Sequence, residues 1–94
     1  MLRRRAKHRY LSIMHVGTSK ELVNAINKRC SELFGSIATE KAATRFVRSE
    51  TNITIVRCRL EQLDIVLTSI AFVDPPAVTL DMSGSVKQLR RRLV

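Results

Sequence analysis

Between Arg48 and Ile53 the chain has room for a turn and for nothing larger. The four residues there, Ser49 to Asn52, are polar. On one side, Ala42 to Arg48 alternates, with Thr44 and Phe46 against Arg45 and Val47. On the other, Ile53 to Cys58 is rich in β-branched residues. Two extended segments joined by so short a link can pair only as an antiparallel hairpin. This hairpin lies mid-chain, and each flank carries an apolar stripe at helical spacing followed or preceded by another alternating segment.

The flanks read as follows. Arg9 to Val16 is the first strand, with Leu11 and Ile13 on one face and Tyr10, Met14 and Val16 on the other. Thr18 and Glu21 form a capping box that opens a helix. Its stripe is Leu22, Val23, Ile26, Cys30, Leu33 and Phe34, and Gly35 supplies the stop. After the hairpin, a second helix spans about Leu60 to Phe72, with Glu61 and Asp64 in its first turn where the dipole favours acids. Its core stripe is Leu60, Leu63, Val66, Leu67, Ile70 and Ala71. Asp74-Pro75-Pro76 ends it. Val78, Leu80 and Met82 then alternate with Ala77, Thr79 and Asp81, the pattern of a strand buried on one face.

The order is strand, helix, strand, strand, helix, strand. Two right-handed crossovers turn it into a split β-α-β unit, an α+β ferredoxin-like sandwich in which the first and third strands are central. The length, 94 residues, suits one domain spanning 1–94. About 60–65% of the unfolded surface of such a chain can be buried, so a core needs no metal or disulfide. Both helices cover one sheet face, and the other also needs a cover. Ser83-Gly84-Ser85 breaks the last strand, and Val86, Leu89 and Leu93 then recur at helical spacing with Ser85 as N-cap. This extra C-terminal helix is the expected cover.

Charge is distributed unevenly. Residues 1–9 hold Arg3, Arg4, Arg5, Lys7 and Arg9 and no acid, and residues 83–94 hold Lys87, Arg90, Arg91 and Arg92 and no acid. Together these nine equal the net charge of +9, so residues 10–82 are neutral. Like charges at i, i+4, as Lys87 and Arg91 are, cost about 0.2–0.5 kcal/mol, and a helix that accepts this usually has an anion to meet. Two localised basic ends on a neutral body point to a polyanion partner, the bland alternative being solubility. In the expected topology the last strand ends beside the start of the first, joining the ends in one patch. Arg57 and Arg59 fall nearby, unless they pair with Glu61 or Asp64. Six neutralised phosphates would make binding fall as about the fifth power of salt.

Other classes find little support. Cys30 and Cys58 stand 28 residues apart, and buried free thiols in a reducing cytosol are expected rather than a disulfide. A zinc site would require two His and two Cys scattered along the chain to converge. His8 and His15 have no acid at a telling spacing, and Ser83 and Ser85 read as turn and cap residues, although the first amides of the tail helix with Lys87 suit one phosphate. No run approaches the about 20 apolar residues of a membrane span, and no secretory signal is visible; an organellar transit peptide fits poorly beside a strand that belongs to the fold. The third strand lacks aromatic residues and the first has only Tyr10, so bases would not be read by stacking. Contact with the backbone of a folded RNA is the expectation. Ile65 and Phe72, seven apart and off the core stripe, are candidates for a protein interface.

Arg9-Tyr10-Leu11, Leu33-Phe34-Gly35, Ile55-Val-Arg-Cys58 and above all Ser83-Gly-Ser-Val-Lys87 followed by arginines occur in the order of one family. The chain resembles the small ribonuclease P protein subunit of archaea and eukaryotes, the Pop-five type, called protein component 2 in archaea. The resemblance covers nearly the whole chain. The family's last motif is closer to S-G-T-I-K or S-G-T-I-R, so Ser85 and Val86 are conservative departures. There is no acidic tail of the eukaryotic kind, which points to the archaeal type and to the cytoplasm. The resemblance implies a non-catalytic subunit of an endonuclease that removes the 5′ leader of precursor transfer RNA. Its catalyst would be an RNA with bound Mg²⁺, the chain itself carrying no cofactor. A larger TIM-barrel-like protein subunit would be its partner, and self-association stays open. Ser83, Gly84, Ser85, Lys87 and the arginines after them would touch RNA. The alternatives are a ribosomal-type RNA-binding protein and a small-ligand regulatory domain of the same fold, with a self-standing enzyme last.

Overall fold

The computed structural model describes residues 7–93. β1 (His8–Met14) leads into α1 (Ser19–Phe34), α2 (Ser36–Ala42), β2 (Arg45–Glu50) and β3 (Ile53–Arg59). A 3-10 turn (Leu60–Gln62), α3 (Leu63–Ala71), β4 (Val78–Ser83) and α4 (Val86–Leu93) complete it. The sheet is antiparallel with order β2-β3-β1-β4, which is the ferredoxin-like α+β arrangement with an added C-terminal helix. Among the described residues no helix is long and apolar enough to cross a membrane.

Local chemistry accounts for most boundaries. The Thr18 hydroxyl accepts from the Glu21 amide at 3.1 Å, which is the first half of the expected capping box. Gly35 stops α1 at φ 93°, ψ 164°, a region open to glycine and closed to other residues. It is a sharp redirection rather than a left-handed cap, and it starts α2 at once. This short helix is absent from the sequence reading, which placed Ala42 in a strand. Ser36–Ala42 buries only Ala42 and exposes Ile37, so no apolar stripe marks it.

The core lies between the sheet and α1 and α3. Leu11, Ile13, Val56 and Cys58 face Leu22, Ile26, Val66 and Ile70. Burying a side chain of this size contributes about 1.5–3 kcal/mol. Beneath the first turn of α1 the buried Thr54 hydroxyl binds His15 Nε2 at 2.6 Å and the Ser19 hydroxyl at 2.9 Å, so these polar groups satisfy one another. Cys30 and Cys58 are buried free thiols.

Two expectations about the strands fail. The alternation predicts β4 buried on one face through Val78, Leu80 and Met82, yet all three are more than 40% exposed. A bulge at Leu80 breaks the alternation: Asp81 pairs with Ser12 and Thr79 with Ile13, so Val78 and Met82 lie on opposite faces of an edge strand. Val16 lies beyond β1 and is exposed, and Met14 is half-exposed, so the second face of β1 is covered through Ser12 instead. The stripe of α1 also runs out early, leaving Leu33 and Phe34 exposed at its last turn.

Candidate nucleic-acid interface

The sheet face opposite α1 and α3 carries the candidate site. Its lower row is set by strand register: Arg45 pairs with Arg57, Arg57 with Tyr10, and Tyr10 with Ser83. His8 pairs with Arg59 one step further out. The end of β4 therefore lies beside the start of β1, as the topology required. Arg9 starts from the other face, opposite Cys58, and its guanidinium reaches the same corner of the sheet. A Cβ on Gly84 would stand 3.3 Å from its guanidinium, so glycine lets the chain pass close to this charge. Lys7 is held there by its carbonyl, which accepts from the Leu60 amide at 2.9 Å. Arg3, Arg4 and Arg5 lie outside the described residues.

The Ser83–Lys87 turn is built from within. The Ser83 hydroxyl donates to Gln88 Oε1 at 2.6 Å and accepts from the Ser85 amide at 3.2 Å. Its chemistry is that of a turn, and the residue is buried. Ser85 is the N-cap by position, its carbonyl accepting from the Leu89 amide. α4 then folds back over the open face against β4 and β1, with Leu89 fully buried over the side that holds Ser12 and Ile55. The Leu93 side chain, the other expected anchor, lies outside the described residues.

Burial of Leu89 spreads the tail's cations away from the corner. Lys87, Arg90 and Arg91 line a concavity with Glu50, which sits at the opposite end of β2 from Arg45. The expected single patch is thus a band along the face. Arg92 is exposed but engaged within the chain: its guanidinium donates to Asp81 at 2.9 Å. That hydrogen bond, with one from the Met82 amide, holds the Asp81 carboxyl below its ordinary value of 3.8. Among the described residues Arg57 and Arg59 make no ion pair with Glu61 or Asp64. Arg57 Nε is enclosed and has no hydrogen-bond partner among the described residues.

Arg45 and Arg48 on β2 were not singled out from the sequence, yet both join this face. The candidate protein contacts separate: Ile65 is half-buried, while Phe72 caps the end of α3 and is 60% exposed. Leu33, Phe34 and Ile37, around Gly35, expose more apolar surface together. Among the described residues no cluster of His, Cys, Asp and Glu could hold a metal ion.

Comparison with known proteins adds two findings. The model of the Rpp14/Pop5 family matches residues 3–94. A chain in the cryo-EM structure of yeast ribonuclease MRP superposes with a TM-score of 0.63 at 13% identity, covering 98% of this chain and 92% of that one. No curated protein sequence matches.

Proposed function

The chain belongs to the Rpp14/Pop5 family, and we propose that it is the RNA-binding protein subunit of a ribonuclease P. In this reading it supports the catalytic RNA that removes the 5′ leader of precursor transfer RNA, with Mg²⁺ held by that RNA and no catalytic group on the chain. The observation that carries the reading is the family match over nearly the whole chain, joined to a basic corner where Lys7, Arg9, Arg57 and Arg59 gather beside Ser83-Gly84-Ser85.

Physically, this corner suits a phosphate backbone. Guanidinium groups fixed on strands have less freedom to lose than groups on a loose tail, and each neutralised phosphate releases counterions. Tyr10 is the only aromatic residue of β1 and β3, so recognition rests on backbone shape rather than on stacked bases. A larger TIM-barrel-like protein subunit would meet exposed apolar surface such as Phe72. The archaeal type and a cytoplasmic site belong to the same proposal.

The test is a pull-down of the tagged chain from its native cytosol, with sequencing of the RNA and identification of the proteins. The expected result is one enriched structured RNA in an eluate that cleaves precursor transfer RNA in Mg²⁺. Ribosomal RNA, or no RNA at all, would overturn it.

A further inference from the structure

A strand without irregularity would send Arg45 and Arg48 to opposite faces, because an odd number of steps separates them. β2 is irregular. Its register passes from Phe46 opposite Val56 to Arg48 opposite Ile55, so Val47 is an inserted residue. Arg45 pairs with Arg57 and Arg48 with Ile55, and positions 55 and 57 share a face. The bulge therefore puts both arginines on the open face, where α4 packs on β4 and β1 and leaves the β2 side uncovered.

Two features of this strip are unfavourable in the protein alone. Arg45 and Arg57 are like charges directly opposite each other on neighbouring strands, an arrangement that destabilises a sheet. Among the described residues the enclosed Nε of Arg57 has no hydrogen-bond partner, an unfavourable state for a buried donor. An anion on the strip would relieve the repulsion between Arg45 and Arg57. Across from it stand Lys87, Arg90 and Arg91 of α4, and the acid between these walls is Glu50, 3.8 Å from Arg48.

We propose that this trough between β2 and α4 binds a single RNA strand by its phosphates, with Glu50 as a counter-charge that weakens the grip. It rests on the RNA-binding reading above and extends that site along the sheet. Cations spaced from Arg45 to Arg48 and on to Arg91 match a linear polyanion rather than one small anion. The uncovered strip is β2 with the outer edge of β3, since Ile55 on that face is buried, and a strip this narrow suits one backbone and not a duplex. Phe46 of β2 lies on the opposite face by register, and Tyr10 stands only at the end of the row beyond Arg57, so phosphate contacts dominate and binding is indifferent to base sequence.

The test uses the full chain and a labelled oligouridylate of about 12 nucleotides, within the span one such face can hold. Anisotropy titrations over a range of salt give the slope of log K against log salt. Arg45→Gln with Arg48→Gln is expected to lower that slope by about 1.4, since each phosphate on a single strand contributes about 0.7. Arg45→Lys with Arg48→Lys keeps the slope, which separates charge from damage to the fold. Glu50→Gln tightens binding several-fold. An unchanged slope in the Gln pair, with Arg90→Gln and Arg91→Gln still lowering it, overturns the trough and leaves the proposed function standing. A wild-type chain that does not bind the oligouridylate also overturns the trough, and the pull-down of a structured RNA then decides the proposed function separately.

Discussion

Arg92 closes the tail helix onto the sheet through Asp81: one guanidinium nitrogen donates to both carboxylate oxygens, at 3.1 and 2.9 Å, across eleven residues of chain. The Ser83–Gln88 hydrogen bond lies on the same side of α4, and Leu89 is buried beneath it. The helix is short and its sequence carries adjacent arginines, so its docking depends on these three anchors rather than on intrinsic helicity.

The clasp predicts a response to acid. Because the hydrogen bond from Arg92 depresses the Asp81 carboxyl in the folded state, its contribution is present above the ordinary carboxylate pKa. It fades as pH falls through the depressed value. Protection of the Leu89 amide against hydrogen exchange should therefore drop in strongly acidic solution. Asp81→Asn should remove that step and hold protection at the wild type's acid level at higher pH too. A wild-type protection factor that stays flat would mean that the clasp does not hold the helix.

The same contact alters what the basic tail can offer a polyanion. Arg90 and Arg91 are exposed and Arg92 is engaged with Asp81. Replacing Arg90 and Arg91 by Ala should lower the salt slope for RNA by about 1.4 to 1.8, with about 0.7 to 0.9 for each lost phosphate contact. Adding Arg92→Ala should lower it by much less than a third such step, while loosening α4. A full third step would mean that Arg92 leaves Asp81 when RNA binds.

Leu89 gives the most direct test of how the second sheet face is closed. It is fully buried, with Ser12 and Ile55 buried on the face below. Leu89→Ala should cost about 2–5 kcal/mol in urea unfolding if the site cannot collapse. It should also raise exchange at α4 before the rest of the chain opens. Leu33→Ala, at a half-exposed position, is the comparison and should cost far less.

These residues also show what could be read from the sequence alone. The hairpin, the two crossovers and the cover supplied by Leu89 follow from spacing, because each rests on a run of apolar residues with one period. The corner where Arg9 meets Gly84 follows from topology once the strand order is known. What spacing could not reveal are the insertions. Val47 and Leu80 look like ordinary members of alternating strands, yet each shifts the register by one residue and changes the face of everything beyond it. Arg48 reaches the open face, and Val78 parts from Met82, for this reason alone. α2 was hidden for a different reason. Its one buried residue, Ala42, gives no stripe, and its end is fixed by Ala43 in a left-handed conformation that alanine seldom adopts.

Cys58 tests the depth of the core from another direction. Burial raises its thiol from 9.0 to about 11 through desolvation. Between those values the unfolded chain ionises the thiol and the folded chain keeps it protonated, so the native state binds more protons. Stability then falls as pH rises through that window, by about 1.4 kcal/mol per pKa unit and about 2–3 kcal/mol in all. Other groups titrate in the same range, so the quantity to measure is the difference between wild type and Cys58→Ala. Urea unfolding from pH 8 to 11 should show an alkaline loss in wild type that the variant lacks, even though the variant starts less stable. Parallel loss in both would show that the Cys58 thiol ionises without leaving its place, and that the β1–β3 side of the core admits water.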